Sequence, residues 1–185
     1  MQNQPVQIEN SRTKLAGIFI GALLFVSAGV WFALKPYDVV IPMFKELFMI
    51  RIIGIISIAL FGTIGIFILK KLADKKPALI ISDEGFTDRS GAASIGFISW
   101  AGVIAISEIT IAGQKLIGVD LKDPEHYIGL QTNVVKSKLL QANYKQYGLL
   151  VSLSANSLQC SHHQLKVLLN NSFNFYKAIK VTGAV

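Results

Sequence analysis

Two uncharged stretches, LAGIFIGALLFVSAGVWFAL at Leu15–Leu34 and IIGIISIALFGTIGIFIL at Ile52–Leu69, decide the fold of this chain. A helix rises about 1.5 Å per residue, so roughly 20 apolar residues cross a hydrocarbon core of about 30 Å. The alternative is a pair of core helices in a soluble protein. A chain of 185 residues offers no core large enough to surround two such helices. The sequence therefore predicts two membrane spans, at about residues 15–34 and 50–70.

Basic residues in the short flanks predict how these spans are oriented, because cytoplasmic flanks carry the excess of Lys and Arg. Six positive charges flank the two ends of the pair: Arg12, Lys14, Lys70, Lys71, Lys75 and Lys76. Three lie in the connecting segment: Lys35, Lys45 and Arg51. The bias predicts a multi-pass protein of the cytoplasmic (inner) membrane with both termini in the cytoplasm. Trp31 and Tyr37 would then meet the outer interface.

A cleaved signal peptide is an alternative for the first stretch, since Val26-Ser27-Ala28 resembles a cleavage site. The apolar run is longer than a usual signal peptide core, which favours a retained span. We therefore expect four parts along the chain. These are a cytoplasmic N-terminal tail at residues 1–14, a transmembrane hairpin at 15–71, a charged linker at 72–77 and a cytoplasmic domain at 78–185.

Small residues within the spans predict close helix packing, because small side chains let helix backbones approach in lipid. Gly17 and Gly21 form a GxxxG pattern, and the second stretch carries Gly54, Gly62 and Gly65. The glycine pattern fits either a tight hairpin between the two spans or a homodimer. Glycine is also simply common in membrane helices. Neither span has an ionisable residue in its interior, which argues against an ion path or a transporter.

The rest of the chain predicts an α+β domain built on an antiparallel sheet of about five or six strands. Strand signals lie at residues 78–82, 86–89, 96–100, 104–111, 115–122 and 149–153. The alternation of apolar residues changes phase around Ser107 and Glu108, which predicts a β-bulge there.

Helix signals interrupt and close this sheet. Asp123-Pro124 predicts a capped helix start, and a second helix is expected from Asn133 to Tyr147, ended by Gly148. Ser161 and Gln164 form a capping box that opens the last helix, which runs to about Lys180. Its broad apolar stripe predicts packing against the sheet, with a lipid-facing surface as the alternative. The stripe consists of Leu165, Leu168, Leu169, Ser172, Phe173, Phe175, Tyr176 and Ile179.

Several of these segments resemble a pleckstrin-homology-like (PH-like) domain of the bacterial type. The resemblance is carried by Ala78–Ile81, Glu84–Phe86 and Ile98–Trp100. More narrowly, the two spans with Lys75–Ile81, Gly96–Trp100 and Ser154–Leu158 resemble a family of small bacterial membrane proteins. That resemblance implies two N-terminal spans and a C-terminal PH-like domain, without an assigned activity. The helical insertion departs from a plain PH-like order.

Charge is distributed unevenly after the second span. Residues 126–185 contain six lysines and neither Asp nor Glu. Lys138 and Lys145 share one side of the expected second helix, and Lys166 and Lys177 share one side of the last. These four lysines are candidates for contact with anionic lipid headgroups, and an ordinary solvated basic face is the alternative.

No catalytic, cofactor-binding or metal-binding set stands out, so no cofactor is expected. Cys160 is the single cysteine and is interpreted as structural. Ser161 is explained by helix capping, and His162 and His163 are adjacent, which is a poor spacing for chelating one ion. Glu108 is either a perturbed carboxylate in a pocket or an outward-facing residue of an edge strand. Trp100 is expected in the core, with partner binding as the minority alternative.

These observations predict a membrane-anchored binding or scaffold module without enzymatic activity. The alternative is a small membrane enzyme or accessory subunit that acts on lipid or envelope substrates. The expected partners are the lipid bilayer and either anionic headgroups or a membrane protein, with a homodimer also open. Nucleic acid is not expected, because the sequence lacks a recognition motif and a basic run with interleaved aromatic residues.

Overall fold

The structure, a computed structural model, describes residues 4–35, 47–91 and 93–182. Tyr37 and Lys45, which entered the prediction of orientation, lie outside these residues. The chain divides into two compact units. The hairpin unit is Ser11–Lys75, and the globular unit combines Met1–Asn10 with Lys76–Val185.

The helices and strands follow in one order along the chain. The hairpin unit holds α1 (Arg12–Leu34) and α2 (Leu47–Ala73). The globular unit holds β1 (Val6–Ile8), β2 (Leu79–Ile81), β3 (Gly85–Asp88), β4 (Gly96–Ser99), β5 (Val103–Ile111), β6 (Gln114–Leu121), α3 (Pro124–Gly129), α4 (Val134–Tyr147), β7 (Val151–Leu153) and α5 (His162–Thr182). The α+β class with two long apolar N-terminal helices is confirmed.

The strands form two antiparallel sheets, one of four strands in the order β1-β2-β3-β4 and one of three in the order β5-β6-β7. The predicted count of about five or six strands was therefore too low, since the described residues hold seven. The expected bulge at Ser107 and Glu108 was also wrong. Pairing with β6 is regular from Ala105 to Ile111, and the register shifts between Val103 and Ala105 instead.

The N-terminal segment, which was expected to be a cytoplasmic tail, differs most from the four predicted parts of the chain. Val6–Ile8 pairs with β2 in an antiparallel ladder that matches Val6 to Ile81 and Ile8 to Leu79. The backbone N–H of Ala78 also donates to the Ile8 carbonyl at 2.9 Å. The sheet therefore begins before α1 and resumes after α2, so the hairpin unit is inserted between two neighbouring strands.

Local signals set the helix boundaries where the sequence predicted them. The Asp123 carboxylate accepts from the backbone N–H of His126, and Gly148 ends α4 with a φ of 68°. At α5, the Ser161 N–H donates to Gln164 Oε1 at 2.8 Å and the Gln164 N–H donates to Ser161 Oγ at 3.2 Å. The predicted capping box is confirmed.

The core of the globular unit is one cluster drawn from both sheets and α5. Trp100 is 1% exposed, which confirms its predicted core position, and α5 contributes the buried side chains of Leu165, Leu169 and Phe173. The predicted stripe on α5 is thus confirmed at its centre. Phe175 and Ile179, which the pattern placed in the same stripe, remain about half exposed, at 45% and 53%.

The two helices of the hairpin unit are long and apolar enough to cross a membrane. Their most apolar windows have mean hydropathies of 2.2 and 2.7, and only 17% and 11% of those residues are buried by protein. A core helix of a soluble protein would be mostly buried. The exposed apolar surface of α1 and α2 therefore favours lipid as its surroundings.

Candidate functional site

The four candidate lysines lie on two helices of the globular unit. Lys138 and Lys145 are exposed on α4, whereas Lys166 and Lys177 are exposed on α5. The α5 pair makes specific contacts within the globular unit.

Lys166 belongs to an ion-pair cluster around Glu108 on β5. Its Nζ atom lies 3.1 Å from Glu108 Oε2, and His162 Nε2 lies 3.2 Å from the same oxygen. Lys115 Nζ lies 3.7 Å from Glu108 Oε1. The Glu108 side chain is 33% exposed, so the cluster lies at the surface with partial shielding from water.

Local geometry explains why these side chains meet. Glu108 is opposite Ile117 in the β5–β6 ladder, so Lys115 is its diagonal neighbour on the same face. The capping box fixes the start of α5, and residues one turn apart share a helix face. His162 and Lys166 therefore both reach the edge strand β5. The expectation that Glu108 lies on an edge strand is confirmed. In addition, three partners hold its side chain.

These contacts change the acidity of the carboxyl group. Hydrogen bonds from Lys166 and His162, with the positive charges of Lys166 and Lys115, lower the pKa of Glu108 from 4.5 to about 2. Partial burial opposes this shift but does not outweigh it. The carboxylate is therefore ionised at neutral pH and joins α5 to the three-stranded sheet.

The cluster does not contain the parts of a nucleophilic site. The Ser161 hydroxyl accepts from the Gln164 N–H, as expected of a cap, and the nearby His162 ring faces a carboxylate. Within residues 4–35, 47–91 and 93–182, no group of three or more His, Cys, Asp or Glu side chains could hold a metal ion. The geometry instead favours a structural and pH-dependent role.

Replacing Glu108 by glutamine is expected to remove a pH-dependent part of stability. The pKa of the Glu108 carboxyl group is lower in the folded state than in the unfolded state. The ionised carboxylate therefore stabilises the fold at pH values above the unfolded-state pKa, and this contribution to stability is lost as the pH falls towards about 2. The difference in stability between wild type and Glu108→Gln should therefore be largest near neutral pH and shrink below about pH 4.5. Thermal unfolding of the full chain in detergent across this range measures it.

Glu84→Gln is the matched control, because Glu84 is an exposed acid in the β2–β3 turn. Its thermal midpoint should follow that of the wild type at every pH. A constant offset between Glu108→Gln and wild type from neutral to acid pH would contradict the role assigned to the cluster.

Lys177 packs on the aromatic core. Its Nζ atom lies 4.1 Å from the centroid of the Phe173 ring, and that ring lies 5.7 Å from the ring of Trp100. Cation–π contacts of this kind are worth about 0.5–1 kcal/mol at exposed sites. Lys177 therefore has a structural contact in addition to its surface charge.

Cys160 and His163 line an apolar hollow of about 540 Å³ in the globular unit. Its other lining residues are Ile8, Gln159, Gln164, Val167 and Leu168. A catalytic pocket usually combines apolar walls with several convergent polar groups. Here the polar side chains of the lining are Gln159, Cys160, His163 and Gln164, and no acidic side chain of the described residues faces His163 across the hollow.

In the hairpin unit, the two helices approach each other closely at Gly29 and Gly54. A Cβ atom at Gly54 would lie 2.6 Å from the Gly29 carbonyl oxygen, and one at Gly29 would lie 2.8 Å from the Gly54 oxygen. Nearby, the Ser57 hydroxyl donates to the Phe25 carbonyl at 3.0 Å, and the rings of Phe25 and Phe61 stack at 4.2 Å. These contacts define the helix crossing.

The other candidate glycines are placed differently. A Cβ atom at Gly65 would lie 3.7 Å from the Phe19 ring, an ordinary contact, and around Gly17, Gly21 and Gly62 the described residues leave open space. Gly29 was absent from the predicted set. The buried residues of α1 are Leu15, Ala22 and Gly29, which are spaced seven residues apart. This regular spacing is the sequence signal that would have pointed to Gly29.

No protein-family model matches the sequence, and neither curated proteins nor solved structures show significant similarity to it.

Proposed function

We propose that the chain is a membrane-anchored binding module whose hairpin unit crosses the bilayer twice. The pairing of β1 with β2 carries this proposal. If α1 and α2 span the membrane, two neighbouring strands of one sheet can form only when both ends of the hairpin emerge on the same side. Both helix ends are therefore expected on one side of the membrane whatever the count of flanking charges.

The same pairing argues against a cleaved signal peptide. Cleavage after Ala28 would remove β1 and most of α1 from the mature protein. The backbone groups of β2 that pair with β1 would then lose their partners, and an unpaired sheet edge is prone to association. A retained hairpin keeps the four-stranded sheet complete.

The proposed cytoplasmic location of the globular unit follows from the positive-inside rule. Lys70 and Lys71 lie in the last turn of α2, and Arg12 and Lys14 lie in the first turn of α1. Basic residues therefore mark both helix ends next to the globular unit. The inner membrane, with both termini in the cytoplasm, is the location that fits these charges.

A PH-like fold for the globular unit is supported by its order of elements. A four-stranded sheet is followed by a three-stranded sheet and a C-terminal helix. Two insertions interrupt this order, the hairpin between β1 and β2 and the helices α3 and α4 between β6 and β7. We infer a binding role rather than a catalytic one because Glu108, the candidate perturbed carboxylate, is held in a structural ion-pair cluster with Lys115, His162 and Lys166.

Reporter fusions to the full chain test the proposed topology. We expect a green fluorescent protein fused after Val185 to be fluorescent and alkaline phosphatase at the same place to be inactive. Alkaline phosphatase inserted between α1 and α2 should be active. Activity of the C-terminal phosphatase fusion, or release of the protein by carbonate washing, would overturn the proposal.

A binding role is tested by photo-crosslinking the full chain in its native membrane, followed by mass spectrometry. We expect adducts of one dominant class, either lipid or a single membrane protein. An equal spread of adducts over unrelated proteins would contradict a specific binding module.

A further inference from the structure

The surface of α4 that faces away from the core carries two exposed valines. Leu140 is fully buried and defines the inward side of this helix. Val134 and Val135 are 67% and 77% exposed. Since each residue turns the helix by about 100°, both valines lie more than about 90° from Leu140 around the helix axis. A solvated helix normally carries polar residues on this side.

Residues close to these valines along the chain add exposed apolar surface and positive charge. Leu130, between α3 and α4, is 61% exposed, and Leu139 is 41% exposed. Lys138 and Lys145 project from the same outward side as the two valines. We call this set the α4 surface: Leu130, Val134, Val135, Lys138, Leu139 and Lys145.

Charge complementarity restricts what this surface can bind. It contains two lysines, and residues 126–185 contain no acidic residue at all. The nearest acid along the chain is Glu125, in the first turn of α3. An apolar patch with lysines and without acids matches an anionic lipid interface, where apolar side chains enter the headgroup boundary and lysines meet phosphate groups.

Short connections also favour lipid over a soluble partner. Three residues, Glu9–Ser11, separate β1 from α1, and five residues, 74–78, separate α2 from β2. At about 3.5 Å per extended residue, these tethers are short. A hairpin that spans the bilayer therefore keeps the globular unit at a high effective concentration near lipid.

We propose that the α4 surface inserts into the interface of an anionic bilayer and forms a second, reversible membrane contact of the globular unit. The proposal rests on the proposed membrane anchoring by the hairpin. Val134, Val135 and Leu130 supply apolar contact, and Lys138 and Lys145 supply selectivity for anionic lipid. Each lysine near such a surface contributes a factor of about five in binding.

An environment-sensitive fluorophore at position 135 tests this insertion. The full chain carries Val135→Cys with Cys160→Ser, so that the label has one site, and is placed in nanodiscs that expose both faces of the bilayer. We compare phosphatidylcholine discs with discs that contain equal amounts of phosphatidylcholine and phosphatidylglycerol. The emission should shift to the blue and be quenched by a lipid-borne quencher in the anionic discs only.

Two further variants make the result specific. Adding Lys138→Gln and Lys145→Gln should reduce the inserted fraction severalfold, since each lysine contributes about fivefold. A label at Asn174→Cys, an exposed position of α5, should stay water-like in both kinds of disc. An equal shift at positions 135 and 174 would overturn the assignment of the contact to α4.

Other outcomes separate this inference from the anchoring on which it depends. A water-like label at position 135 in both discs, with a hairpin that resists carbonate extraction, overturns the insertion alone. Failure of the hairpin to integrate overturns both proposals. A shift that disappears when each disc holds one copy indicates pairing between copies and overturns the lipid assignment.

Discussion

Replacing Trp100 by alanine is expected to lower the free energy of unfolding of the globular unit by about 3–5 kcal/mol. Trp100 is 1% exposed, and its ring lies 5.2 Å from Phe86 on β3 and 5.7 Å from Phe173 on α5. Alanine would leave a cavity where one sheet meets the closing helix. A domain of this size is typically stable by about 5–15 kcal/mol, so the loss is a large part of the total.

The indole N–H gives this side chain a second role. Trp100 Nε1 donates to the Ser82 carbonyl at 2.9 Å, which fixes the turn between β2 and β3. Trp100→Phe retains an aromatic ring but loses this donor, and should cost about 1–3 kcal/mol. Because both substitutions remove this donor, the difference between their losses measures the packing of the ring that phenylalanine retains.

Pulse proteolysis of the full chain in detergent, over a series of urea concentrations, measures these losses. Phe97→Ala on β4 is the matched control, since Phe97 is 53% exposed and should change the stability by less than about 0.5 kcal/mol. An equal loss for Phe97→Ala and Trp100→Ala would contradict the assignment of Trp100 to the centre of the core.

The features predicted correctly from the sequence are those that depend on neighbouring residues. The cap at Asp123, the end of α4 at Gly148 and the Ser161–Gln164 capping box each involve groups no more than four residues apart. Such contacts leave a signature at fixed spacing. The two apolar helices were equally clear, because their length and lack of charge need no partner to be recognised.

The features that were missed depend on contacts between distant parts of the chain. β1 is three residues long, and its partner β2 follows the entire hairpin. Periodicity over three residues carries almost no signal, so the first strand resembled a tail. The phase change near Glu108 was read as a bulge, although this edge strand instead turns a charged residue towards α5.

The same difference between contacts of neighbouring residues and contacts of distant residues holds for the candidate site. The excess of lysine was visible in the sequence, but the partners of Glu108 were not, since His162 and Lys166 lie 54 and 58 residues away from it. The exposure of Val134 and Val135 was equally hidden, because apolar residues at a helix start are usually assigned to the core. Only the packing of α4 through Leu140 reveals that the valines face outward.

Substituting leucine for Gly54 is expected to disrupt the helix crossing of the hairpin unit. A Cβ atom at this position would lie 2.6 Å from the Gly29 carbonyl oxygen and 2.8 Å from the Ala33 backbone nitrogen. Both neighbours are backbone atoms, so relief requires the helices to separate. Overpacking of this kind costs about 1–3 kcal/mol, which corresponds to roughly a 5- to 150-fold decrease in the ratio of the closely packed population to the separated one.

A thiol crosslink across the crossing reports this population. Phe25→Cys and Phe61→Cys replace two rings whose centroids lie 4.2 Å apart, in a Cys160→Ser background. A short bifunctional thiol reagent should link them efficiently in lipid vesicles. Adding Gly54→Leu should reduce the yield by about tenfold, because the added side chain separates the two helices at Gly29.

Gly62→Leu is the matched control, because it lies on the same helix and introduces the same side chain into open space. It should leave the crosslinking yield unchanged if the two spans pack only within one chain. A decrease with Gly62→Leu that matches the decrease with Gly54→Leu would mean that the rest of α2 also packs against a helix, as in a homodimer. Full yield with Gly54→Leu would show that the contact between Gly29 and Gly54 does not hold the hairpin together.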